Sequence, residues 1–89
     1  MNYSRNPKVE VAPMKDESVL FNPESNKFCL LNATAAEIWN LLETPRTAEE
    51  VSMEMFKKFR NVEKSTVSED VLRTLAELSS IGCVLSRQD

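Results

Sequence analysis

Histidine is absent from this 89-residue chain, and glycine occurs once, at Gly82. Without histidine, the chain lacks the most common general base and the most common transition-metal ligand. A single glycine excludes the glycine-rich loops that bind nucleotide phosphates. The two cysteines, Cys29 and Cys83, form no C-x-x-C pair, so zinc and redox motifs with that spacing are also excluded. We therefore expect no catalytic residue, no metal ligand and no cofactor, and a protein that acts by binding rather than as an enzyme.

Long hydrophobic runs and a basic surplus are missing as well. No stretch reaches the roughly 18 apolar residues of a membrane-spanning helix, and the N-terminal residues lack a signal-peptide core. Acidic residues outnumber basic ones 14 to 11, for a net charge of −3. That balance disfavours nucleic-acid and anionic-membrane partners, which attract basic surfaces. We expect a cytoplasmic protein whose cysteines are free thiols, with a Cys29–Cys83 disulfide as the alternative.

The remaining composition is that of one globular domain, with 42% hydrophobic and 28% charged residues. Residues 1–8 are predicted to be a flexible tail, and residues 9–86 the domain. A short strand is predicted at residues 9–11, and a hairpin at residues 17–32. The apolar run in each arm of the hairpin is continuous, which is typical of strands covered on both faces or still to be covered by a partner.

Three T-x-x-E motifs, beginning at Thr34, Thr47 and Thr66, predict three helices that each start with a capping box. The first should end near Glu43, and Gly82 should follow the third in a left-handed conformation. A polar loop is predicted at residues 60–65, and a final extended segment at 83–85. Helical spacing predicts these core positions: Ala35, Ile38, Trp39, Leu41, Leu42, Val51, Met55, Phe56, Phe59, Val71, Leu72, Leu75, Leu78 and Ile81. Together these elements suggest an α+β, winged-helix-like fold.

Three residues have a second interpretation. Cys29 fits a small apolar strand residue, and alternatively a redox or cluster-binding thiol. Trp39 fits the core, and alternatively a surface on which a ligand stacks. Met53 lies off the apolar stripe of its helix and is a candidate for an exposed contact.

Residues 20–24 and 27–42 resemble the coenzyme PQQ synthesis protein D (PqqD-like) family, in which a strand ending in Leu-Asn leads into a small-Thr-Ala helix start. The similarity returns in three shorter segments, residues 45–51, 69–72 and 81–84. In all it spans about residues 17–85. The resemblance implies a winged-helix-like α+β fold with a three-stranded antiparallel sheet followed by three helices.

Members of this family are recognition elements for ribosomally made, post-translationally modified peptides. The resemblance implies a non-catalytic adaptor that binds the leader of a precursor peptide and presents it to a modifying enzyme, often a radical S-adenosylmethionine enzyme. The leader would add as a strand beside the third strand, whose open edge offers unpaired backbone groups, and would pack against the third helix. The predicted peptide-binding residues are Lys27, Phe28, Cys29, Leu30, Leu31, Asp70, Arg73, Thr74 and Glu77. Arg73 is a candidate partner for acidic leader residues, and alternatively a solvated surface arginine.

Several alternatives stay open. A winged-helix DNA-binding regulator would need a basic third helix, but residues 66–81 contain Glu69, Asp70 and Glu77 against Arg73 alone, a net charge of −2. A cofactor- or metal-delivery chaperone would need ligands that the chain lacks. The pathway can be PQQ biosynthesis or that of another modified peptide, such as a lasso peptide. An open edge strand can also pair with a second copy to form a homodimer.

Overall fold

The computed structural model describes residues 1–14, 17–59 and 62–88 of the chain. Within them the backbone forms six strands and three helices. The strands are β1 (Asn2–Arg5), β2 (Glu10–Met14), β3 (Glu17–Asn22), β4 (Lys27–Leu31), β5 (Arg46–Thr47) and β6 (Val84–Arg87). The helices are α1 (Ala33–Leu41), α2 (Ala48–Lys58) and α3 (Lys64–Ser80). The predicted loop at 60–65 includes residues 60 and 61, which lie outside the described residues, and α3 already begins at Lys64.

The first sheet contains β2, β3 and β4 in that order, with both pairs antiparallel. In the β3–β4 pair, Leu20 faces Cys29 and Val19 faces Leu30, so the predicted hairpin is confirmed. Its turn places Asn26 at φ 59°, a left-handed conformation that asparagine tolerates better than most residues. The predicted α+β fold with a three-stranded antiparallel sheet and three helices is confirmed.

A second antiparallel sheet, ordered β5–β1–β6, was not predicted. Its central strand β1 pairs with β6 from Asn2 opposite Arg87 to Arg5 opposite Val84. The structure thus corrects the expectation of a tail at residues 1–8. The physical reason lies in two amphipathic side chains: Tyr3 packs against the core, and the Arg5 guanidinium lies 5.0 Å from the ring centroid of Trp39. An arginine that stacks on a core ring contributes packing that a search for apolar runs does not register.

Only one of the three predicted capping boxes is present. Thr47 Oγ1 accepts from the Glu50 N–H at 3.1 Å, and Glu50 Oε1 accepts from the Thr47 N–H at 2.9 Å. The boxes at Thr34 and Thr66 are wrong, because both threonines lie inside their helices. Asn32 caps α1 instead, accepting from the Ala35 N–H at 2.8 Å. Asparagine caps helices at least as well as threonine, and it comes two residues earlier in the chain.

The hydrophobic core lies between the three helices and the inner face of the first sheet. Its buried members are Leu20, Leu31, Ile38, Trp39, Leu42, Val51, Met55, Val67, Val71, Leu75, Leu78, Cys83 and Val84. Trp39 is therefore a core residue, as predicted. Leu72 was also predicted to be core, but it is 53% exposed, and Phe59 is exposed as well. Val67, Val71, Leu75 and Leu78 already fill the inward stripe of α3, and Leu72, one residue after Val71, points away from it.

Two buried asparagines join the end of α3 to the strands. Gly82, at φ 75°, follows the helix as predicted. Asn22 Nδ2 donates to the Ile81 carbonyl at 2.8 Å, and Asn6 Nδ2 donates to the Gly82 carbonyl, also at 2.8 Å. These bonds satisfy carbonyls that a helix end leaves without partners. They also fix the C-terminal end of α3 next to the hairpin.

Candidate functional site

Strand β4 is an edge strand, since among the described strands only β3 pairs with it. Its side chains alternate between two environments. Leu31 is 1% exposed and belongs to the core, whereas Phe28 and Leu30 point away from the core and are 70% and 61% exposed. Of the two predicted possibilities, a strand covered on both faces is wrong for β4, and a strand with one face still open to a partner fits these exposures. Along its free edge, an antiparallel strand presents backbone N–H and C=O groups that can pair with another strand.

A groove of about 290 Å³ separates β4 from α3. Cys29, Leu30 and Leu31 form the strand wall, and Asp70, Arg73, Thr74 and Glu77 form the helix wall. We call this surface, whose two main walls are these seven residues, the β4–α3 groove. The fold thus brings together seven of the nine residues predicted for the site, from two segments that are distant in sequence.

The other two predicted residues do not line the groove. Lys27 is exposed at the start of β4, opposite Asn22. Phe28 lies on the sheet face that points away from the core, where its ring is 4.6 Å from that of Phe21, centroid to centroid, at an angle of 39°. Val19, Phe21, Phe28 and Leu30 share that side of the hairpin, which we call the outer face.

Sequence reasoning missed four lining residues: Asn32, Thr34, Ala35 and Leu78. The first three lie within the Leu-Asn to Thr-Ala segment, which was interpreted only as a helix start. Thr34 and Asp70 also line an adjoining apolar hollow of about 110 Å³. Its other walls come from α2, α3 and the segment between them: Met55, Phe59, Val62, Val67 and Val71. The groove therefore continues into an apolar recess beside the start of α1.

The helix wall carries two carboxylates and one guanidinium. Arg73 and Asp70 form an ion pair one turn apart, and both side chains are partly exposed. Glu77 makes no ion pair with any residue in the described part of the chain. An exposed pair of this kind contributes little to stability, at most about 1 kcal/mol, so either member can exchange partners when a ligand arrives. The role of Arg73 toward acidic peptide residues stays a prediction.

Cys29 is the groove's only ionisable side chain on the strand wall. Burial raises the pKa of its thiol, and the negative charge of Glu77 raises it further. Cys83 is buried, and burial likewise raises the pKa of its thiol. Both are free thiols, as predicted. A raised pKa keeps the thiol neutral at physiological pH, which makes it a poor nucleophile and favours the interpretation of Cys29 as a small apolar wall residue.

Residues 1–14, 17–59 and 62–88 contain no cluster of cysteine, aspartate or glutamate side chains that could hold a metal ion. In the same ranges, no helix is long and apolar enough to cross a membrane.

The fold and the groove define a class of small α+β domains in which an open sheet edge faces a helix. The chain belongs to the family described as coenzyme PQQ synthesis protein D (PqqD), whose model matches residues 17–84. This confirms the resemblance found in the sequence.

Two solved structures are similar over nearly the whole chain. The first, TbiB1 in complex with the TbiA(beta) leader peptide, has a TM-score of 0.82 and 26% identity, and the match covers 97% of this chain and 99% of that one. The second, lasso peptide synthetase B1 complexed with the leader peptide, has a TM-score of 0.77 and 24% identity, over 94% and 98% of the two chains. No curated protein matches the chain closely enough to count as a relative.

Proposed function

We propose that this protein is a non-catalytic adaptor, a recognition element that binds the leader of a ribosomally made precursor peptide and presents it to a modifying enzyme. The observation that carries the proposal is the open edge of β4, which faces α3 across the β4–α3 groove. The proposal is supported by the family membership and by TbiB1, a 26% identical protein of the same fold that was solved with a leader peptide.

Binding proceeds by strand addition. The leader extends along the free edge of β4 and exchanges backbone hydrogen bonds with it, as a fourth strand of the first sheet. Each such bond contributes about 0.5–1.5 kcal/mol net, whatever the side chains are. Alternate leader side chains then enter the β4–α3 groove, where they meet Leu31 and Leu78 at its base and the polar side chains of α3 above.

The charges on α3 add selectivity. A basic leader residue is attracted to Glu77, which has no ion pair among the described residues. An acidic leader residue recruits Arg73, with Asp70 giving up its partner. Because these groups lie at an exposed rim, they influence register and rate of association more than affinity.

The chemistry belongs to a partner enzyme, such as a radical S-adenosylmethionine protein, and the pathway is that of PQQ or of another modified peptide, in the cytoplasm. The groove itself holds a neutral thiol and carboxylates but no histidine to act as a base. Nothing favours the DNA-binding alternative, since α3 carries Glu69, Asp70 and Glu77 against Lys64 and Arg73.

The test is a calorimetric and NMR titration with a leader peptide encoded next to the gene. We expect micromolar or tighter binding, with amide shifts concentrated in β4 and α3. N-methylation of the leader, one residue at a time, should weaken binding at alternate positions, because only every second N–H of an added strand points toward β4. A scrambled leader is the control. The proposal fails if the authentic leader leaves β4 and α3 unperturbed.

A further inference from the structure

On the side of the first sheet that points away from the core, the apolar side chains lie in β3 and β4 and not in β2. The β3–β4 register places Val19 opposite Leu30 and Phe21 opposite Phe28. Leu20, between Val19 and Phe21, points to the other face and is fully buried, so the core lies there. The remaining strand of the first sheet, β2, supplies Glu10 and Ala12 to the same side of the sheet, and both are exposed. The apolar part therefore lies toward β4 and the open edge, and not toward β2.

Exposure increases in the same direction. Val19 and Phe21, in the central strand, are half-buried by their neighbours. Phe28 and Leu30, in the edge strand, are 70% and 61% exposed. Each has a neighbouring strand on one side only. The uncovered parts of Phe28 and Leu30 therefore lie toward the open edge of β4, where another strand would pair.

An added strand would cover these two side chains. Directly opposed residues of neighbouring antiparallel strands have Cβ atoms about 4.5–5.5 Å apart, close enough for an aromatic or branched side chain to pack against its partner. Leu30 also lines the β4–α3 groove, so the groove and the outer face form one continuous surface around the edge of β4. A peptide strand at this edge has one set of side chains in the groove and the other set beside Phe28 and Leu30.

We propose that Phe28 and Leu30 are specificity-determining residues for the outward side chains of the bound leader. They select a peptide with apolar, preferably aromatic or branched, residues at two positions spaced two apart, i and i+2, within the paired segment. The residue between them enters the groove. This inference rests on the proposed function, and it specifies that the leader is recognised on both faces and not through the groove alone.

Phe28 gives the cleaner test, because it does not line the groove. Phe28→Thr and Leu30→Thr remove apolar surface but keep a residue that favours strands, so both variants should fold. The matched control is Leu85→Thr, an exposed leucine on a strand of the second sheet. We expect each β4 variant to lower leader affinity by up to about fivefold, in keeping with the loss of one aromatic or apolar cross-strand pair, and the control to bind like the original protein.

A double-mutant cycle locates the contact on the peptide. Serine is placed at each leader position in turn, and the dissociation constant is measured against both the original protein and the Phe28→Thr variant. The loss at outward positions should largely disappear in the variant, whereas the loss at inward positions should be unchanged. Melting curves of the free proteins show that the variants are folded.

The outcomes separate the two proposals. If the original protein fails to bind the leader, the proposed function fails. If it binds and the β4 variants bind equally well, only the present inference fails. It is also overturned if the variants keep leader affinity but lose capture of the modifying enzyme, or if they convert a dimer into a monomer with leader affinity unchanged. In those cases the outer face would serve the enzyme or a second copy.

Discussion

Gly82 occupies a position where any side chain would be strained. Its φ of 75° is in the left-handed region, and a Cβ there would lie 2.6 Å from Asn22 Nδ2. That amide donates to the Ile81 carbonyl, so it cannot move away without breaking a buried hydrogen bond. Conformation and space thus both demand glycine at the end of α3.

We expect Gly82→Ala to lower the free energy of unfolding by about 1–3 kcal/mol, the usual cost of a strained backbone position. Denaturation with urea measures the change. Asn26 provides the matched control, because it also has a positive φ but already carries a side chain at that position. Asn26→Gly should change stability by less than about 1 kcal/mol. Equal losses in the two variants would contradict this account.

The thiol of Cys29 should report on the groove. Because its pKa is raised by burial and by Glu77, less thiolate is present at a given pH, and alkylation should be slower than for a cysteine in an unstructured peptide. Glu77→Gln removes the second cause and should accelerate alkylation at pH 8, whereas Glu54→Gln on α2 should not. Mass spectrometry should find a single modified cysteine in the folded protein, since Cys83 is buried. Bound leader should protect Cys29 from alkylation. If the alkylation rate is the same with and without the leader, the leader does not bind in the groove.

At the scale of elements, the true and the false capping box make a paired experiment. Thr47→Ala removes the cap of α2 and should cost about 0.5–2 kcal/mol. Thr66→Ala, in the same sequence pattern, replaces an exposed residue inside α3 and should be neutral or slightly stabilising, because alanine is the better helix former. Thermal melts of both variants check this prediction. A comparable loss at Thr66 would mean that it caps the helix in solution.

The capping box of Thr47 and Glu50 also makes the stability of α2 depend on pH. Hydrogen bonds from the backbone and side chain of Thr47 hold the pKa of Glu50 below its usual value. A depressed pKa contributes stability above the pKa of the unfolded chain, and this contribution disappears as the pH falls through the lower, folded value. In Glu50→Gln the unfolding midpoint should therefore fall less between pH 6 and pH 3 than in the original protein. Glu49→Gln, on the same turn, is the control. Identical pH profiles would contradict the assignment.

Elements with local signals were predictable from the sequence. The hairpin was found from two apolar runs around a turn, and α2 from its capping box and apolar stripe. The starts of α1 and α3 were misplaced. Asn32 caps α1 two residues before Thr34, whereas α3 simply begins earlier, at Lys64, after Glu63, whose side chain makes no capping bond. Strand β1 was missed because its signal is not local: it depends on β6, about 80 residues away, and on the stacking of Arg5 on Trp39.

At the scale of the whole molecule, Arg5 joins the second sheet to the helical core. Its guanidinium stacks on Trp39, and its Nε donates to the Trp39 carbonyl at 2.9 Å, near the end of α1. We expect Arg5→Ala to cost about 1–3 kcal/mol. Arg5→Lys should recover less than half of this, because an ammonium group cannot stack and reach the carbonyl together. Lys8→Ala, which removes only an exposed ion pair with Glu24, should cost less than about 1 kcal/mol.

The groove was largely predictable because the resemblance to the family indicated both of its walls, the third strand of the predicted sheet and the third helix. Seven of the predicted residues line it, but the pattern could not distinguish the two faces of β4. That distinction depends on register: Cys29 pairs with the buried Leu20, which fixes Phe28 and Leu30 on the opposite side. The recess beside α1 was not predicted, since it forms only where α2 and α3 meet.

The pairing of β1 with β6 brings residues 2–5 and 84–87 side by side, with Asn2 opposite Arg87. Neighbouring strands are about 5 Å apart, so in a chain engineered to run from residue 1 to residue 89 a bridge of a few residues closes the backbone into a ring. Closure would shrink the unfolded ensemble, resist exopeptidases and leave β4 and α3 untouched. It would also allow the chain to be reopened elsewhere, giving circular permutants whose ends emerge at a chosen loop for attachment to an enzyme.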